Sequence, residues 1–72
     1  MKRSKLIQRT ILNELSKYES PVSTRELALK TSRAWHSIQL NCLKLQLEGR
    51  INGVRIGNIN AWMKKEEGKS NV

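Results

Sequence analysis

Aspartate is absent from this 72-residue chain, and its 6 acids, all glutamate, face 14 lysines and arginines. Catalysis by paired carboxylates is therefore poorly supplied: Glu66 and Glu67 are adjacent, but they sit in a polar C-terminal stretch. One histidine, His36, and one cysteine, Cys42, cannot make a metal site, which takes three or four ligands. A lone cysteine also excludes a disulfide framework and gives no support for an extracellular home. No apolar run approaches membrane-spanning length. The basic start "MKRSKLIQRTIL" is broken by Gln8 and Arg9 where a signal peptide would need an uninterrupted apolar core. These shortages point away from an enzyme, a metal or other cofactor, a small-molecule ligand and a membrane. The expected location is the cytoplasm, at the nucleoid if the partner is DNA.

What is abundant is positive charge. The formal net charge is +8 and the isoelectric point is near 10.3, which favours a polyanionic partner, nucleic acid ahead of an anionic membrane surface. The charge falls in blocks. Lys2, Arg3, Lys5 and Arg9 lie in residues 1–9, and Arg50, Arg55, Lys64 and Lys65 in residues 49–65, neither block holding an acid. Arg25, Lys30 and Arg33 stand against Glu26 alone in residues 25–33. Between Ala34 and Gly49, by contrast, there are only Lys44 and Glu48.

Periodicity divides the chain into one domain, residues 1–65 with a basic N-terminal arm, and a polar tail, residues 66–72, expected to be disordered. Ile7, Ile11, Leu15 and Tyr18 share one face of a helix over residues 4–18, which "ESP" ends. Ser23 and Glu26 form a capping-box pattern that opens a short second helix, fading by Thr31 and Ser32. A third helix should run from Ala34 to Glu48 and stop at Gly49, a good residue just past a helix end. On it Trp35, Ile38, Cys42 and Leu45 fall within about 80° of one another, the buried side of an amphipathic helix. His36, Leu40, Leu43 and Leu47 take the opposite side, with Ser37, Gln39 and Lys44 on its edges. After Gly49, "VRIGNINA" reads as two short strands around a Gly57-Asn58 turn. That register puts Val54, Ile56, Ile59 and Ala61 on one face, and Arg55, Asn60 and Trp62 on the other, with Arg55 expected to point outward. The competing architecture is a three-helix protein in which these glycines mark a loop.

Leu27-Ala28 on the second helix, Gly49 after the third, and Leu45, Cys42 and Ile38 at four, seven and eleven residues before that glycine make the chain resemble the winged helix-turn-helix family. "LKLQLEGRI" resembles the end of a recognition helix leading into the first strand of a wing. The resemblance covers about Ser4 to Met63. It departs in the turn, which reads Thr31-Ser32-Arg33 without the usual glycine, and in a very short wing. It implies a mainly α (α+β) fold of three helices followed by a two-stranded β-hairpin wing. The small size resembles stand-alone winged helices of archaea, their viruses and plasmids.

The resemblance also implies sequence-specific binding of double-stranded DNA, as a small transcription regulator, with the third helix in the major groove. Arg33, His36, Ser37, Gln39 and Leu40 would then meet base edges. Arginine and glutamine can bond guanine or adenine bidentately, and a leucine can touch a thymine methyl. Phosphate contacts would come from a mobile arm of Lys2, Arg3 and Lys5, and from the second-helix N-terminus at Ser23 and Thr24. Arg25, Lys30, Lys44 and Arg55 complete that set. Leu40, Leu43 and Leu47 form an apolar stripe away from the core. Either the hairpin and Trp62 cover Leu43 and Leu47, or a homodimer buries the stripe. The alternatives in function are a winged-helix protein-interaction module docking through these leucines, and a non-specific DNA coat.

Overall fold

Ile7, Ile11 and Leu15 recur every four residues and are buried along one side of helix α1 (Arg3–Leu15), as the helical period requires. The computed structural model describes residues 3–65, so Lys2 and the 66–72 tail lie outside it. Arg3 and Lys5, expected in a mobile arm, belong to α1. The helix ends three residues short of Tyr18 because its last turn tightens. Lys17 and Tyr18 donate their amides three residues back, to Glu14 and Leu15, and Ser16 Oγ donates to the Asn13 carbonyl at 2.7 Å.

Beyond Pro21, two residues form strand β1 (Val22–Ser23). Ser23 is both strand and helix cap: its extended backbone suits each role, and its Oγ accepts the Glu26 amide at 3.0 Å. Helix α2 (Thr24–Thr31) follows and ends without glycine. Ser32 itself takes the left-handed conformation, φ 57°, so the Arg33 amide can reach the Ala28 carbonyl at 3.0 Å and the Ser32 amide the Leu29 carbonyl at 3.3 Å. The missing turn glycine is thus replaced by a serine in a conformation that glycine adopts more easily.

Helix α3 (Trp35–Leu47) closes as expected. Gly49 has φ 77°, and the Gly49 and Arg50 amides bond the Gln46 and Leu45 carbonyls, each at 2.9 Å. The hairpin then forms, with strands longer than expected: β2 (Ile51–Ile56) and β3 (Ile59–Lys64). Gly57, φ 62°, leads a two-residue turn in which Asn58 keeps a negative φ, the pattern of a type II′ turn.

Two expectations need correction here. The sheet has three antiparallel strands, in the order β1-β3-β2, and not the two of a lone hairpin. Val22 pairs with Trp62 and Ser23 with Ala61, a ladder too short to leave any alternation in the sequence. The face of the hairpin assigned outward also proves to be the one on the helices. Trp62 is buried there, opposite Gly53, whereas Val54, Ile56 and Ile59 are exposed on the other face. The indole turns inward because Gly53 opposite leaves it room and the buried Thr24 hydroxyl accepts its N–H, neither of which the alternation shows.

The core joins α1, α2, α3 and the base of the sheet through Ile11, Leu27, Ile38, Leu45, Ile51 and Trp62. Two polar connections cross it. Gln8 Nε2 donates to Asn41 Oδ1 at 3.1 Å, tying α1 to α3, and Asn41 Nδ2 donates to the Ser37 carbonyl at 2.8 Å. Trp62 Nε1 donates to Thr24 Oγ1 at 2.8 Å, tying β3 to the start of α2. Among the described residues no buried side-chain nitrogen or oxygen lacks a partner, as expected of a well-packed interior.

Candidate nucleic-acid interface

The start of α2, the start of α3 and the hairpin turn converge. Ser23, Arg25, Trp35, Asn58 and Asn60 are among the residues lining one shallow groove of about 240 Å³. A second groove, of about 210 Å³, runs between the flank of α3 and the hairpin, with Gln39, Leu43 and Gln46 on one wall and Arg55 and Asn60 on the other. Arg55 therefore faces α3, not outward, because the hairpin lies on the helices by the face it occupies. Its Nε donates to the Gly57 carbonyl at 3.4 Å, which folds the guanidinium back toward the turn.

Thr24 joins the two grooves from beneath. Its hydroxyl is buried, accepts the Trp62 indole N–H and donates to Gln39 Oε1 at 2.8 Å. With both functions engaged it cannot also grip a phosphate, so the Thr24 side chain leaves the phosphate set. Gln39 changes as well. One lone-pair direction of its Oε1 is committed to Thr24, which leaves the amide N–H₂ as the natural contribution to a ligand.

Trp35 was assigned to the core by its angle around α3, yet it is 46% exposed. Angle alone ignores position along the axis: Trp35 is the first residue of α3, where it lines the groove with the α2 start and the hairpin turn instead of entering the core. Its ring meets that of His36 edge-on, 5.5 Å between centroids and 81° between planes. Arg33, in the turn before α3, and His36 and Leu40 on the helix are exposed, while Ser37 and Gln39 are half-buried. Asn58, Asn60 and Trp35 were not singled out as contacts. Their signal in sequence was only their nearness to the turn and to the helix start.

The cations are less evenly placed. Arg25 borders the first groove and Lys44 is exposed on α3. Lys30 sits 5.4 Å from the centre of the Tyr18 ring, and its interaction with Tyr18 raises its pKa above the ordinary lysine value. That contact draws Lys30 toward the end of α1 and away from the α2 N-terminus. Lys64 reaches back to the Ser16 carbonyl at 3.5 Å. Cys42 is buried, and desolvation pushes its thiol up to about 12, leaving it a core residue without nucleophilic character at neutral pH.

The leucine stripe is not covered from within. Leu40 and Leu43 are partly exposed and Leu47 is 88% exposed, so the hairpin and Trp62 do not shelter it. Among the described residues, no helix is long and apolar enough to cross a membrane. Comparison with known proteins returns no match, whether to family models, to curated proteins or to solved structures.

Proposed function

We propose that this chain is a winged helix-turn-helix protein that binds double-stranded DNA sequence-specifically and acts as a small transcription regulator. The observation that carries the reading is the convergence of the α2 start, the α3 start and the hairpin turn around Ser23, Arg25, Trp35 and Asn60. A nearly uncharged helix flanked by cations suits a reader of bases whose phosphate grip lies on neighbouring elements. In this reading α3 enters the major groove by its N-terminal, outer side. Arg33, His36 and Ser37 meet base edges, and Leu40 meets a thymine methyl. Gln39 adds an amide donor, held in place by Thr24. Arg25, Lys44 and Arg55 take phosphates, and the free amides at the start of α2 beside Ser23 offer a further anion contact.

Selection of bound sequences from a random duplex pool tests this. The expected result is one enriched short motif whose duplex binds better than random duplex at the same salt. Uniform recovery of the pool would replace the regulator with a non-specific DNA coat.

A second reading is favoured by one observation, the exposed Leu40, Leu43 and Leu47. In it α3 docks on a protein, either a second copy of this chain or another subunit. Apolar docking is nearly insensitive to salt, whereas phosphate binding is steeply sensitive, so the two readings separate in one titration.

A further inference from the structure

The side chains of Lys5, Arg9 and Arg50 enter no contact described so far, and they share one surface. Together with Gln8 and Leu12 they line a groove of about 200 Å³ where α1 passes the turn that leaves α3. Lys5 and Arg9 are one helical turn apart on the same flank of α1. Arg50 is delivered to them by the left-handed Gly49 that closes α3. Between them Gln8 is fixed by its bond to Asn41, so this flank of α1 is held against α3.

We propose that Lys5, Arg9 and Arg50 form a second phosphate-binding surface, which takes the DNA backbone on the side of α3 away from the hairpin. The inference rests on the DNA-binding reading and extends it. No carboxylate lines the groove, and among the described residues the one ion pair is Lys17 with Glu14, at 3.5 Å. The first turn of α1 holds no acid, so Lys5 lies at the end of the helix dipole that repels a cation. Like charges one turn apart add to that repulsion. Lys5 is thus opposed by both the dipole and Arg9, and a polyanion across the groove would relieve both while meeting Arg50 as well. The position of the groove agrees. At 100° per residue, Asn41 lies roughly 160° around α3 from Gln39, which faces the hairpin. The groove and Arg55 thus flank the exposed side of α3, as the two backbones flank a major groove.

The test is the double variant Arg9→Ala/Arg50→Ala, with Lys17→Ala as control, titrated with the preferred and a random duplex across salt. The groove predicts a roughly tenfold loss on both duplexes, a salt slope shallower by about 1.8, and an unchanged sequence preference, since phosphate contacts carry no base information. An unchanged slope overturns it. Lys5→Glu adds a readout that a merely structural role would not give: the melting temperature should rise while duplex affinity falls. A fall in both would contradict the electrostatic account. Amide shifts on adding inorganic pyrophosphate separate this proposal from the reading beneath it. Shifts at Arg9 and Arg50 in a protein that binds no duplex would sink the DNA reading and leave a phosphate site. Full duplex affinity in the double variant would sink the groove and leave the DNA reading.

Discussion

Gly53 shows how one position can tie sheet to core. A β-carbon there would lie 2.8 Å from Trp62 Cζ3 and 3.1 Å from Gln46 Oε1, so the indole lies across a backbone with no side chain of its own. Gly53→Ala should destabilise the protein by about 1–3 kcal/mol, the usual range for overpacking, as read by urea denaturation. Stability equal to the parent would mean that the indole moves aside without loss. Ser32 predicts the opposite sign. Its left-handed φ of 57° is disfavoured for any residue with a β-carbon, so Ser32→Gly should stabilise by up to about 1 kcal/mol, partly offset by the entropy of an unfolded glycine. Cys42 gives a pH dependence. Its pKa is raised from 9.0 to about 12 by burial, so the unfolded thiol ionises first. The stability it contributes is fully present below pH 9 and should be lost as pH rises from 9 toward 12. Alkaline denaturation curves of the parent and Cys42→Ala should differ in slope in that window, and identical slopes would contradict the burial account.

At the scale of elements, the helices were legible because each is marked by a cap, a period or a stop that acts locally. Ser23 and Glu26 located the start of α2, and Gly49 located the end of α3 within a residue. The Gly57-Asn58 turn set the hairpin register for the same reason. What escaped depended on partners remote in sequence. Strand β1 exists because Val22 and Ser23 meet Trp62 and Ala61, some 40 residues away, and two residues have no alternation to read. The buried pairing of Gln8 with Asn41 is equally invisible, because each looks like a solvent-facing amide on its own helix. The direction of Arg55 was not legible, because which face of the hairpin meets the helices depends on Gly53 and Thr24 receiving the Trp62 indole. Of the candidate site, the helix that carries it and its exposed side were readable. The Thr24 connection that holds Gln39 and Trp62 was not, since it requires three elements to close at once.

The whole molecule is arranged around α3. α1 is tied to one flank through Gln8 and Asn41, the α2 start is tied to it through Thr24 and Gln39, and the hairpin faces the other flank across the groove lined by Gln39 and Gln46. An exposed apolar centre between charged flanks can meet thymine methyls and sugar surfaces, or a second protein surface. Light scattering decides whether that second surface is another copy. If the stripe is a dimer interface, the parent is a dimer and Leu43→Glu a monomer; a monomeric parent removes the homodimer. In the proposed DNA-binding reading, the breadth of the arrangement suits a chain whose +8 charge falls mostly outside α3. In that reading, cations on the flanks would reach two backbones and leave the exposed side of α3 to base contacts.

The most direct measurement is the binding of a short duplex carrying the selected motif, followed as salt rises from about 50 to 200 mM. The account predicts tight binding at low salt and a linear fall of log affinity with log salt, with a slope near −0.9 for each phosphate held. Binding to no duplex at the low end of that range would contradict it.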